Sequence, residues 1–350
     1  MTDGRLCKAR LVFWSICLLF GQVRGQDSTV KVQLFGDVNL GRAVGQELLR
    51  GNLDYPFAFV RDTLRRADVV FVNLESQLTE QRGETQHPKY NLIFCGPPIG
   101  AKVLGEANVT VVSTANNHAY DYGRRALEET IQFLDSAGVG YVGTSRDSVS
   151  ESLPAIVERA GIRIGFLAYT QFMNFRAPWG GRVALFEENR VRRDIESLRG
   201  QVDFLIVSYH GGAEYVDRPP KAVKRDFRMI AEAGADMVVG HHPHYVQGIE
   251  WHNKTLLAYS LGNFVFFQPQ LELTQMGLGI ELGLVRRDSS FVLDFARLIP
   301  ARAGLQPHFA LSAEEKSMFF GRLTRLSSAQ IDQKNGEWFI QMRNHDEEIR

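Results

Sequence analysis

An excess of charge of either sign is the first thing the sequence lacks. Its 350 residues carry 40 Lys and Arg against 40 Asp and Glu, a formal net charge of zero. Nucleic-acid-binding domains usually show a basic excess, so nucleic acid is not an expected partner. Cysteine is scarce too: only Cys7, Cys17 and Cys95 are present. The first two fall within residues 1–25, so the remaining chain has no pair for an internal disulfide. Cys95, followed by Gly-Pro-Pro, reads as a packed thiol. A run long enough to cross a bilayer as a helix is also missing. The longest apolar stretch, residues 11–20 (LVFWSICLLF), is about half the roughly 20 residues such a helix needs. It follows the basic residues Arg5, Lys8 and Arg10 and precedes Val23-Arg24-Gly25. That order predicts a signal peptide over residues 1–25, cleaved near Gly25/Gln26, and export to the periplasm or beyond. The alternative is an uncleaved membrane anchor lengthened by residues 21–23. Internal repeats and low-complexity linkers are lacking, which favours one continuous domain over residues 26–350.

What is present is a core. Hydrophobic residues make up 44% of the chain and aromatics 11%, which argues against global disorder. Strand-like segments at residues 31–35, 68–72 and 109–113 alternate with helical spacing at 57–67, 99–107 and 124–136, the last closed by Ala137-Gly138. This rhythm predicts a mainly parallel, layered α/β sheet. A hairpin follows at residues 155–158 and 162–169, then helices at 189–198 and 221–233, with Gly234 as a stop. Strands are expected at 204–208 and 237–239. Further hairpin-like strands at 245–251, 255–260, 277–285 and 291–299 are expected to form a second, antiparallel sheet, before a helix at 314–326.

Five of the strands end in a polar or glycine-rich cluster: Gly36-Asp37, Asn73-Leu74-Glu75, Asn116-Asn117-His118, His210-Gly211-Gly212 and Gly240-His241-His242-Pro243-His244. Ligands of α/β sheets collect outside the carboxyl ends of the strands. Carboxylate, amide oxygen and imidazole are the donors that a hard or borderline divalent metal takes. Any one cluster has a plain reading. Asp37 could cap a turn, Asn116-Asn117 could be turn residues, and a lone His210 is more often packed. Three imidazoles in four positions around Pro243 are harder to place as packing. Arg42, five residues after Asp37 in what reads as the loop leaving the first strand, suits bidentate binding of phosphate or carboxylate, or is a surface residue. Tyr209, Glu214 and Tyr215 flank His210 and could shape a pocket or support its loop.

These segments, with Gly36-Asp37-Val38-Asn39-Leu40-Gly41-Arg42, Asp121-Tyr122-Gly123, Gln247, Glu250 and Tyr259-Ser260-Leu261-Gly262-Asn263-Phe264, occur in an order that resembles the CapA family, the capsule and poly-γ-glutamate biosynthesis proteins of the calcineurin-like metallophosphatase superfamily. The resemblance covers roughly residues 30–267. It implies a four-layer α/β/β/α sandwich with two divalent metals, Mn, Fe or Zn, at the sheet edge. Carried over residue by residue, Asp37, Asn39, Glu75, Asn117, His210, His242 and His244 are the expected metal ligands, with Glu75 in the bridging place. His118 is the expected general acid. His241, Arg42 and Glu214 are expected to face the substrate. Two residues depart from the superfamily pattern: Asn39 stands where a His is usual, and Glu75 where an Asp is usual. The implied activity is metal-dependent hydrolysis or transfer on a phosphoester or anionic polymer, beside a membrane-bound polymer synthesis machinery. A non-catalytic role in polymer assembly or export is the alternative.

Overall fold

A computed structural model of the chain describes residues 29–147, 154–174, 181–287 and 290–343. The expected signal peptide lies outside them. Among the described residues no helix is long and apolar enough to cross a membrane. In chain order the elements are β1 (Val30–Val38), α1 (Arg42–Leu49), α2 (Arg61–Leu64), β2 (Val69–Leu74), β3 (Gln77–Leu78), β4 (Cys95–Gly96), α3 (Ile99–Glu106), β5 (Val111–Ser113), α4 (Gly123–Ala137) and β6 (Gly140–Val142). They continue as β7 (Ala155–Arg159), β8 (Ile162–Thr170), α5 (Glu188–Arg199), β9 (Phe204–His210), α6 (Lys221–Glu232), β10 (Met237–His241), β11 (Ile249–His252), β12 (Thr255–Ala258) and β13 (Asn263–Val265). The last are β14 (Met276–Arg287), β15 (Ser290–Arg302), α7 (Ala313–Leu326), β16 (Ile331–Lys334) and β17 (Glu337–Ile340).

Two mixed sheets form. One runs β16-β17-β15-β14-β1-β2-β5-β6, with β13 beside β1, and the other runs β11-β12-β10-β9-β8-β7. This departs from the expectation of one parallel and one antiparallel sheet. Each half of the chain has its own helical crossovers, so each builds its own parallel centre: β1, β2, β5 and β6 in one, β8, β9, β10 and β12 in the other. The hairpins then add antiparallel margins to whichever sheet they reach.

Period-two alternation stacks the sheets face to face. Val32, Leu34, Phe71 and Val111 of the first sheet and Ile164, Phe166, Ile206 and Val239 of the second share one buried cluster. Phe71 and Phe166 stack across it with centroids 5.5 Å apart. The alternate residues Val70, Val72 and Val112 pack outward with α3 and α4. Leu205, Val207 and Val238 pack outward with α5 and α6. The three clusters are the three interfaces of an α/β/β/α sandwich. α7 adds Phe319, Phe320 and Leu323 to the central one.

Local stops follow the expected chemistry. Gly138 ends α4 at φ +68° and Gly234 follows α6 at φ +119°. Ser312 and Glu315 form a capping box at α7. The helix expected over residues 57–67 shrinks to the four residues of α2, and α1 forms where a loop was expected.

The strand ends approach so closely that two glycines have no substitute. A Cβ on Gly36 would lie 1.9 Å from the Gly262 carbonyl oxygen, and one on Gly240 would lie 2.0 Å from that of Tyr259. Both contacts are with backbone, which cannot swing aside. Gly240→Ala should therefore destabilise the fold by about 1–3 kcal/mol. It should also displace His241 and His242. Thermal unfolding checks the first effect and metal content the second.

Candidate metal centre

The register of the strands brings the clusters together. Asp37 sits opposite Asn73 of β2 on one side and Asn263 of β13 on the other. In the facing sheet His241 of β10 sits opposite His210 of β9. Asp37, Glu75 and His210 are fully buried. His242 and His244 follow β10 with φ of +95° and +55°. Backbone strain of this kind in non-glycine residues is kept where the surroundings enforce it, often at functional sites.

Two groups of donor atoms form: Glu75, His210 and His242 in one, Asp37, Glu75 and His244 in the other, with the atoms of each group within 4.8 Å of one another. Glu75 belongs to both, the place the resemblance gives to a bridging carboxylate. Neighbours orient the donors. Asn73 Nδ2 donates to Asp37 Oδ1 (2.9 Å) and lies 3.3 Å from His210 Nδ1. Asn263 Oδ1 lies 2.9 Å from His244 Nδ1; an N–H donated there leaves the lone pair on Nε2. Asn117 Nδ2 donates to Asn174 Oδ1 (2.9 Å), which turns Asn117 Oδ1 to within 2.7 Å of His210 Nε2. His118 Nδ1 lies 2.7 Å from Asp121 Oδ2, and its Nε2 lies 3.9 Å from Glu75 Oε1.

Electrostatics show what this assembly needs. Both oxygens of Glu75, Asp37 Oδ2 and His242 Nδ1 are buried without a hydrogen-bond partner. Burial, and then the charge of Asp37, push the Glu75 carboxyl well above its ordinary range. Burial pulls the imidazole of His210 well below its ordinary range and that of His242 to about 3, helped by His242 and His244 respectively. Burial alone would raise Asp37, but His241 and His244 outweigh it and hold this carboxyl well below the usual range. An unpaired buried carboxylate costs several kcal/mol. Neutral imidazoles, two carboxylates and an amide oxygen are a donor set that divalent cations fit.

The signs give a pH prediction. Unfolded Glu75 ionises at about 4.3, whereas folded Glu75 keeps its proton well above that. The metal-free fold is therefore progressively penalised as pH rises from there. A metal that ionises Glu75 removes the penalty and releases its proton. The rise in unfolding temperature on adding Mn²⁺ should be larger at pH 7.5 than at pH 5, with net proton release by calorimetry in buffers of different ionisation enthalpy. Metal binding without proton release would contradict a protonated Glu75.

The other expected site residues are placed as follows. Asn39 is 4% exposed. Its Oδ1 accepts the Gly41 N–H (2.8 Å) and its Nδ2 has no partner. His241 is fully buried, with Nδ1 3.3 Å from Asp37 Oδ1, so it lies against a candidate ligand and away from solvent. Glu214 is exposed. Arg42 is not in a loop but is the first residue of α1. Its guanidinium lies 4.5 Å from the centroid of Phe94. Tyr209 turns away from the centre and donates to Asp226 on α6, whereas Tyr215 stacks 6.0 Å from His244. Sequence reasoning passed over Asn73, Asn263, Asp121 and Asn174 as site residues. The first three lie inside the segments that carried the resemblance, and that position was the available signal.

The chain is 27% identical over 316 residues to the capsule biosynthesis protein CapA of Bacillus anthracis, covering 87% of this chain and 75% of that protein. It is 32% identical over 252 residues to the PGA biosynthesis protein CapA of Bacillus subtilis, covering 69% of this chain and 64% of that protein. Among solved structures, the calcineurin-like phosphoesterase YfkN of Bacillus subtilis aligns at 13% identity and a TM-score of 0.45, over 85% of this chain and 99% of that one. The model of the family described as bacterial capsule synthesis protein PGA_cap matches residues 31–268. That stretch holds all the donor residues of the centre, and the chain belongs to this family.

Proposed function

We propose that the protein acts in the biosynthesis of a capsule or poly-γ-glutamate-type polymer, as an exported, dinuclear-metal-dependent hydrolase or transferase. The carrying observation is Glu75, buried with both oxygens unpartnered and shared by two donor triads. The printed names of the Bacillus relatives supply the pathway. Asp37, Glu75, Asn117, His210, His242 and His244 would hold the metals. Metals bound there would supply Lewis-acid polarisation of a phosphoryl or carbonyl oxygen. His118, its Nδ1 held by Asp121, presents Nε2 to the same space and can give a proton to a leaving oxygen. Phe94 and Phe266, both buried, cover His118 and His244 and limit water.

The test is to reconstitute the mature protein with Mn²⁺, Fe²⁺ or Zn²⁺ and screen phosphoesters and poly-γ-glutamate. Cleavage that disappears on chelation supports the reading. One observation favours a second, non-catalytic role in polymer assembly or export: Asn39 spends its oxygen on the Gly41 amide, where the superfamily resemblance expects an imidazole ligand. Full polymer production by both Asp37→Ala and His244→Ala would establish that role instead.

A further inference from the structure

Beside the metal centre, and sharing a wall with it, lies an open cavity of about 440 Å³ lined by Asn39, the first turn of α1 (Arg42, Ala43, Val44), Asn91 and Phe266. Phe266 packs against His244 with centroids 5.1 Å apart, and Phe94 packs both on Phe266 (5.7 Å) and on His118 (4.1 Å). The cavity wall at Phe266 thus touches the candidate ligand His244 and, through Phe94, adjoins the candidate acid His118.

Three features of the cavity favour an anion. Arg42 is partly buried over the Phe94 ring and reaches the Asn91 carbonyl, and among the described residues it forms no ion pair with a carboxylate. A guanidinium held flat on a ring keeps its remaining donors oriented for an oxyanion. Asn39 is 96% buried (4% exposed), and its Nδ2 has no partner. Its amide orientation is fixed, because the opposite assignment would set Nδ2 against the Gly41 N–H, donor on donor. The first turn of the eight-residue helix α1 lines the cavity as well. It carries no acidic residue and no side-chain cap, and although the Arg42 N–H is taken by the Thr85 carbonyl, the rest of its positive end favours an anion.

We propose that Asn39 and Arg42, with the first turn of α1, form an oxyanion-binding subsite that holds an acidic group of the substrate while the scissile bond lies at the metal centre. Asn39 is then a donor to substrate, not a metal ligand. The inference deepens the proposed function and rests on it for the identity of the substrate. The shared chemistry is a carboxylate or phosphate oxygen pair.

The test is equilibrium dialysis of the metal-loaded protein against inorganic phosphate and, separately, γ-glutamyl-glutamate, for the native chain, Arg42→Gln and Asn39→Asp. Metal content and thermal unfolding are measured on each. Asn39→Asp keeps the shape and the Gly41 contact but replaces the donor with a negative charge. Each variant should weaken at least one probe about tenfold or more while metal content and unfolding temperature hold. Loss confined to γ-glutamyl-glutamate assigns a carboxylate substrate, and loss confined to phosphate assigns a phosphoryl one. Unchanged affinity for both probes in Arg42→Gln overturns the subsite, as does a native chain that binds neither. Anion affinity retained in Asn39→Asp overturns the donor role of Asn39, whatever its metal content. Should the native chain take up no metal, the proposed function fails, and the same dialysis on the metal-free chain still decides the subsite.

Discussion

Glu75→Gln is expected to make the metal-free protein more stable and the metal-loaded protein less so. The two halves have one cause. In the metal-free chain, Glu75 is fully buried with both oxygens unpartnered, at the meeting point of Asp37, His210 and His118. Burial and the nearby Asp37 charge make its ionised form costly. A neutral amide of the same shape relieves the charge term, a gain of about 1–3 kcal/mol. The same amide cannot offer two charged oxygens to two cations. Removing groups that merely orient ligands costs 10–100-fold in metal affinity, so losing the shared ligand should cost more than about 100-fold. Unfolding curves with and without Mn²⁺ should therefore cross between the native chain and the variant. A variant less stable than native in both conditions would show that Glu75 is held by packing alone.

His118→Asn carries the second large effect, and it separates chemistry from metal binding. His118 is outside both donor triads. It lies under Phe94 with Nδ1 anchored on Asp121. Loss of a general acid typically lowers the rate 10²–10⁴-fold. The loss should be large for a poor leaving group such as an alkoxide and small for a good one such as p-nitrophenolate, with metal content unchanged. An equal loss for both leaving groups would point to a binding or structural role for His118. Full activity toward the poor leaving group would remove it from the mechanism.

The residues show how far a sequence can be read in this fold. Strands buried on both faces, such as Val69–Leu74 with every residue buried, announce themselves as continuous apolar runs. The polar clusters that end them were legible for the same reason, since each interrupts such a run. The partition of those strands between two sheets was not legible. Pairing depends on which hairpin meets which edge, and β14 joins β1 across more than two hundred residues. Helix α1 was hidden because its first residue, Arg42, sits at φ +51° after an uncapped Gly41, with no side-chain signal for a helix start. Within the site, donor residue types could be read from composition and order. Orientation could not: nothing local in the sequence says that Asn117 Oδ1 faces His210 because Asn174, 57 residues on, holds its amide nitrogen. Nor does it say that Gly41 takes the oxygen of Asn39.

The most direct test of the account is metal stoichiometry. Protein reconstituted with Mn²⁺, desalted and measured by plasma mass spectrometry should carry about two ions per chain, as the proposed dinuclear function requires. Fewer than one ion per chain, with the protein folded, would contradict it.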